Sequence, residues 1–303
     1  MALNPWRLRL LDVFERVGTV RGVAAELLLS PSTVSQQFSV LEAETGVQVF
    51  ERAGRGLQLT PAGRMLVERA RDLRDHLDSI EAELLDAANG ATGVLRIGGF
   101  ASSVAPILIG TVRALERTHP RLTIELHEIE PRESTVALHQ GLCDIIVTVD
   151  ENDGTLLTPA IAVVPLATDP LMVVLPEGHP AAGLDVVPLT ELAEDRWALD
   201  VAGTYLGELV PRHCRLAGFE PVVAGRFSSY GVLLDHVAAG LSVAVLPEMA
   251  VDLRPGLVLR PTAGLEDRRI VAAVRRANRG RPATATALDA LKEVAARQVV
   301  PHG

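Results

Sequence analysis

One uninterrupted helical run constrains what this chain can become. After Pro61 and Gly63 no proline or glycine occurs before Gly90. In that run Leu66, Ala70, Leu73, Leu77, Ile80, Leu84 and Ala87 recur at intervals of 4, 3, 4, 3, 4 and 3. Thr60 as an N-cap, with Pro61 behind it, marks the start. The intervals place the seven residues on one narrow seam, the a/d pattern of paired helices, while Arg, Asp and Glu cover the other faces. Over residues 61–89 the helix spans about 40 Å at ~1.5 Å per residue. So narrow a seam on so charged a helix predicts pairing with a second copy of the chain. It also divides the chain into a short segment before the helix and a long one after it. The long segment opens with the turn-rich Asn89-Gly90-Ala91-Thr92-Gly93.

Composition narrows the classes. Apolar residues make up 48% and charged residues 22%, an ordinary globular balance. Apolar runs fall short of the roughly 18 residues a membrane span needs, and Met1–Arg7 lacks the pattern of a signal peptide. A cytoplasmic protein without a membrane partner is expected. Cys143 and Cys214 are the two cysteines, read as reduced buried thiols without a disulfide framework. Net charge is −9, with 10 Arg against 13 Asp and Glu in residues 1–89, so charge alone does not point to nucleic acid.

Before the long helix, apolar spacing predicts helices over Arg7–Val17, Val20–Leu29 and Pro31–Thr45. Gly18 stops the first, and Ser30-Pro31 starts the third as N-cap and first helical residue. Val47–Phe50 and Leu57–Leu59, joined across Ala53-Gly54-Arg55-Gly56, read as a small hairpin or wing. After the linker the pattern alternates. Strands are predicted at Val94–Gly98, Leu122–Ile129, Cys143–Val149, Leu171–Leu175, Trp197–Leu199, Val222–Phe227, Ser242–Leu246 and Arg269–Val274. Helices are predicted at Ser103–Thr118, Ser134–Gly141 and Ala283–Val300. The fold class is α/β, and its length suggests two lobes.

Signatures of catalysis are missing: there is no G-x-S-x-G elbow, no phosphate loop and no H-E-x-x-H. His213-Cys214 is the closest pair of soft ligands, and a structural metal site needs about four. No cofactor, metal or enzymatic activity is expected. The informative segment is the helix from Pro31, whose outward residues are Ser32, Thr33, Ser35, Gln36 and Ser39. Glutamine can pair with adenine N6 and N7, and hydroxyls serve bases or phosphates. Two short helices, a tight turn, this helix and a wing form a DNA-reading unit.

These same residues carry a family resemblance. Gly18-Thr19-Val20, Ala24-Ala25, Ser30-Pro31-Ser32-Thr33-Val34-Ser35-Gln36-Gln37, Leu41-Glu42, Gly46, Phe50, Arg52, Arg55 and Leu59-Thr60-Pro61-Ala62-Gly63 resemble the N-terminal signature of LysR-type transcriptional regulators. Gly93–Gly98, Gly141–Val147, His179-Pro180 and Ala239–Pro247 resemble the family's later segments, so the likeness covers nearly the whole chain. It implies a winged helix-turn-helix over 1–60, a dimerising linker helix over 61–89 and an effector domain over 90–303. That domain would resemble periplasmic binding proteins, with lobe I at 90–165 and 268–303 and lobe II at 166–267. The resemblance further implies a homotetramer on double-stranded DNA, contact with RNA polymerase, and a small-molecule effector between the lobes. By position, Ser32, Thr33, Ser35 and Gln36 would face bases, and Arg52 and Arg55 phosphates or the minor groove. Ser39 departs from the basic residue many members carry there, which implies weaker phosphate affinity.

For the effector, Phe100-Ala101-Ser102-Ser103 lies at the carboxyl end of the first strand, where α/β sheets bind ligands. Ser102 and Ser103 offer hydroxyls to a ligand or to the following helix as caps. Thr148 and Asp200 end strands that approach the cleft by family position, and Ser228 and Ser229 reach it from the second lobe. A carboxylate at Asp200 favours a cationic or hydroxylated ligand, whereas the helix start at Ser102 favours an anion.

Overall fold

Asn4 starts the first helix: its side-chain oxygen accepts from Trp6 N at 2.9 Å, and Pro5 fills the first helical position. The structure, a computed structural model, describes residues 3–53, 56–89, 93–151, 156 and 160–298. These fall into two compact units, Met1–Leu84 and Leu85–Gly303. In the first unit, α1 (Pro5–Val17), α2 (Val20–Glu26) and α3 (Pro31–Thr45) precede the hairpin β1 (Phe50–Ala53) and β2 (Gly56–Leu59). Helix α2 ends three residues before the expected Leu29, because Leu29 N bonds back to Ala24 O at 2.8 Å. This closure puts Leu28 at φ +55°, a left-handed conformation that a Cβ disfavours. Leu28 is also 93% exposed, so its side chain packs on almost nothing. Leu28→Asn is expected to stabilise this unit by about 0.5–1 kcal/mol. A urea midpoint that stays put or falls would show that the turn is unstrained.

The wing also starts later than predicted, at Phe50 rather than Val47. Val49 N and Phe50 N donate to Glu42 Oε1 of α3, at 2.8 and 3.0 Å, instead of to a facing strand. Phe14, Phe38 and Phe50 meet with ring centroids 4.4–5.4 Å apart, joining α1, α3 and the wing in one core. Helix α4 (Pro61–Asn89) enters this core directly. A Cβ at residue 63 would lie 2.3 Å from Val49 O, so only glycine fits there. Val67 and Ala70 are buried in the same core, and Leu66 packs against it. Arg71 bonds Asp12 and Glu15 of α1, each at 2.6 Å, and Arg74 bonds Asp12 at 2.9 Å. The first turn of the predicted seam is thus spent inside its own unit. Beyond it Leu73, Leu77 and Ile80 are 43%, 46% and 42% exposed, an apolar stripe facing outward. The side chains of Leu84 and Ala87 lie outside the described residues.

In the second unit, β3 (Gly93–Gly99) runs parallel to both β4 (Leu122–Glu128) and β5 (Ile145–Val149). Strand β6 (Ile161–Asp169) completes a five-stranded sheet of order β4-β3-β5-β13-β6, where β13 (Arg268–Arg275) is antiparallel to its neighbours. A four-stranded sheet, β11-β7-β12-β8, is built from β7 (Leu171–Pro176), β8 (Val187–Pro188), β11 (Ala244–Pro247) and β12 (Leu257–Ala263). Strands β9 (Arg196–Asp200) and β10 (Val222–Phe227) pair in parallel, and Trp197 bridges to Val243 beside β11. The chain passes between the two larger sheets at Asp169–Leu171 and again at Ala263–Arg268. Helices α5 (Ala101–Ser103), α6 (Ile109–Thr118), α7 (Ser134–His139), α8 (Tyr205–Leu216), α9 (Tyr230–Ala238) and α10 (Pro282–Gln298) cover the sheets. Val104–Leu108 forms a π turn between α5 and α6. A Cβ at residue 99 would meet Ser103 Oγ at 2.7 Å, so Gly99 lets the chain turn tightly from β3 into α5. Among the described residues no helix is long and apolar enough to cross a membrane.

Candidate nucleic-acid and effector sites

Helix α3 buries Val34, Phe38 and Leu41 and turns Ser32, Ser35, Gln36 and Ser39 to solvent, with Thr33 half-buried. Ser30 caps the helix, accepting from Thr33 N at 3.0 Å, and its hydroxyl lies 2.8 Å from those of Ser32 and Thr33. Ser39 is already engaged: its hydroxyl donates to Ser35 O at 3.2 Å, leaving only acceptor capacity outward. The neighbouring Gln37 is held inward by Arg7, whose Nε donates to Gln37 Oε1 at 3.0 Å. Arg7 also grips Glu44 at 2.7 Å. Gln36 is therefore the exposed amide of this face. Arg52 stands exposed on β1. Arg55 lies outside the described residues.

At the carboxyl ends of β3, β5 and β9 the second unit gathers polar groups, differently from the sequence expectation. Ser102 is 4% exposed, and its hydroxyl accepts from Arg268 Nη2 at 3.0 Å. Ser103 is fully buried and donates to Phe100 O at 2.7 Å, closing the turn into α5. Thr148 is buried and accepts from Ser134 Oγ at 2.8 Å. The Ser103 and Thr148 hydroxyls are thus engaged in internal hydrogen bonds, and Ser102 is buried and already engaged by Arg268. Ser228 and Ser229 follow β10, both exposed, and Ser229 leaves α9 without a side-chain cap.

Arg268, unnoticed in the sequence, organises this region. It forms a buried ion pair with Asp169 and lies over the Phe100 ring at 5.0 Å. The other oxygen of Asp169 accepts from Met249 N at 3.2 Å. One guanidinium therefore ties the start of β13, the end of β6 and the β3–α5 turn, while its partner reaches the segment after β11. The placement of Asp169 and Arg268 at the two crossings between sheets was the available signal.

Asp200 is 8% exposed and accepts from Val201 N at 2.7 Å. Glu130 accepts from Tyr205 N at 3.2 Å. Burial pushes both carboxyls above the usual carboxylate range, and the charge of Asp200 raises Glu130 further. The Tyr230 hydroxyl is pushed up by burial and by the charge of Asp200. A carboxyl raised in the folded state loses stability as pH climbs through its folded value, and the difference disappears below its ordinary value near 4. Asp200→Asn is accordingly expected to stabilise the protein at pH 7 and to lose that advantage below about pH 4. Urea titrations at both values check this; an Asn variant weaker at pH 7 would contradict it.

The cysteines stand apart from this cluster. Cys143 and Cys214 are fully buried, and burial pushes each thiol up to about 11.

A capped three-helix unit with a wing, a long helix with an outward apolar stripe, and a two-sheet α/β unit define a DNA-binding regulator with an effector domain. Residues 6–64 match the bacterial regulatory helix-turn-helix protein, lysR family, and residues 88–296 match the LysR substrate binding domain. The chain belongs to the LysR family of transcriptional regulators. It is 30% identical over 262 residues to the DNA-binding transcriptional dual regulator OxyR of Escherichia coli K12, covering 84% of each chain. To a probable hydrogen peroxide-inducible genes activator of Mycobacterium avium it is 31% identical over 270 residues, covering 81% of this chain and 84% of the relative. Among solved structures, a full-length OxyR variant from Pseudomonas aeruginosa superposes with a TM-score of 0.67 at 24% identity, covering 96% of this chain and 98% of that one. Full-length BenM follows the same fold, with a TM-score of 0.59 at 22% identity and 99% of each chain covered.

Proposed function

We propose that this regulator reads double-stranded DNA through Ser32, Thr33, Ser35 and Gln36 of α3 and holds phosphates through Arg52 and Arg55. The working segments are 1–60 for DNA, 61–89 for dimerisation and 90–303 for the effector, with lobes around the five-stranded and four-stranded sheets. Two dimers form a homotetramer in the cytoplasm and act on RNA polymerase, with a small molecule between the lobes shifting the population of DNA-bound geometries. The observation that carries the reading is the exposed polar face of α3, with Gln36 unencumbered beside the immobilised Gln37. Gln36→Ala is expected to cost about 1–3 kcal/mol on the cognate duplex and to relax preference at one base position. Arg52→Ala is expected to weaken all duplexes alike and flatten the salt dependence. Gel-shift titrations on cognate and scrambled duplexes separate the two. Equal losses on both duplexes for Gln36→Ala would remove the base-reading role.

Some relatives are named for induction by hydrogen peroxide. Peroxide attacks accessible thiolates. Both thiols here are buried and held protonated at neutral pH. The signal in this chain is therefore assigned to reversible binding rather than thiol oxidation. At the cleft, the half-buried Glu130 beside the buried Asp200, and the prior engagement of Ser102 by Arg268, favour a cationic or hydroxylated effector over an anion.

A further inference from the structure

Beside the Ser102–Asp200 cleft lies a second space that this functional reading does not use. It is a cavity of about 730 Å³ against α8, and Ser102, Glu130 and Asp200 are not among its lining residues. Its wall includes Tyr205 and Arg268 together with Leu171, Leu189 and Leu209. Tyr205 is 8% exposed, yet its hydroxyl finds no hydrogen-bond partner among the described residues. Arg268 and Glu151, both on the same cavity wall, and Asp169 act on that hydroxyl through their charges. Arg268 Nε is buried and likewise without a partner among the described residues. Leaving a buried donor unmatched is costly, so the orphaned Arg268 Nε, on the same cavity wall as the unengaged Tyr205 hydroxyl, points to an absent acceptor.

We propose that this cavity is a second ligand site, for an uncharged molecule with an apolar body and a carbonyl or hydroxyl oxygen. The oxygen accepts from the Tyr205 hydroxyl, and the unpartnered Arg268 Nε–H is a further donor. The leucines supply the surface for the apolar body. A formal negative charge is not called for at the inner end, because Asp169 already neutralises Arg268. Around the rest of the wall, Asp150, Glu151, Glu266 and Asp267 outnumber the cations Arg212 and Arg269, a balance that disfavours anions.

The test uses three probes of one shape: acetophenone, benzoate and benzylamine, titrated against the full-length protein by saturation-transfer NMR. Acetophenone is expected to bind, and to bind at least fivefold more tightly than either charged probe. Tyr205→Phe, which keeps the ring, is expected to weaken acetophenone five- to tenfold. Leu209→Trp, which crowds the apolar wall, is expected to weaken its binding, whereas Asp200→Asn leaves its affinity unchanged. Preference for benzoate or benzylamine, no binding of any probe, or indifference to Tyr205→Phe would overturn the proposal. A loss that follows Asp200→Asn instead of Tyr205→Phe would place the probe in the neighbouring cleft and equally overturn it. Because the cavity shares neither Asp200 nor Ser102, these outcomes stand apart from those of the effector-cleft reading.

Discussion

Asp169→Ala is expected to destabilise the effector unit by about 3–5 kcal/mol, the cost of stranding a buried guanidinium. Both partners are almost completely buried, and the pair holds the ends of β6 and β13 together. Removing the carboxylate leaves Arg268 with one neutral acceptor, Ser102 Oγ, and the face of Phe100. Neither replaces a full negative charge in a low-dielectric interior. The companion variant Asp169→Leu/Arg268→Met removes both charges and keeps their volume. It is expected to recover most of the loss, since buried ion pairs rarely outdo well-packed apolar replacements. Calorimetry on the two variants reads this directly. A loss below about 1 kcal/mol for Asp169→Ala would mean that water or rearrangement already serves Arg268.

The second large effect concerns the outward stripe of α4. Leu73, Leu77 and Ile80 are each more than two-fifths exposed on a helix otherwise rich in charge. Leu73→Asp/Leu77→Asp puts four carboxylates across a paired seam, where hydrophobic contact cannot offset their desolvation and repulsion. The light-scattering mass is expected to fall by half or more. Affinity for a two-half-site duplex is expected to drop by about 10²-fold or more, because each reader then binds without the other's effective concentration. Arg71 and Arg74 still fasten α4 to α1, so single-unit stability stays near the parent's. An unchanged mass and affinity would make the helix a spacer.

Much of the DNA-binding unit was legible because its signals are local. Ser30-Pro31, Gly18 and Gly46 act within a turn of where they stand, and the helices they bound appear at those places. Three strands of the second unit, β6, β8 and β12, went unpredicted; each contains a proline, Pro165, Pro188 and Pro261, which weakens a strand assignment. The sheet absorbs Pro165 with a register shift and Pro261 where β12 changes partner from β7 to β8. The effector region was the least legible. Ser103 and Thr148 looked like ligand groups because hydroxyls at strand ends carry the same pattern whether they face a cleft or a neighbour. Arg268 and Asp169 are 99 residues apart, and only the sheet brings them together. The long helix shows the same limit: its period was visible, but not that Val67 and Ala70 would turn inward.

Glu42 of α3, six residues beyond Gln36, accepts both Val49 N and Phe50 N. The helix proposed to read DNA and the hairpin beside it are therefore clamped by one carboxylate and one triplet of aromatic rings. Such a reader has no internal give. When the distance between base edges and the flanking phosphates varies from one operator to another, the protein cannot stretch to meet it, and the duplex must supply the compliance. Sequences that are easily kinked or narrowed between the two contacts gain affinity without being touched. On the proposed reading, part of the specificity of this regulator resides in the stiffness of its targets, set by a glutamate turned toward the wing.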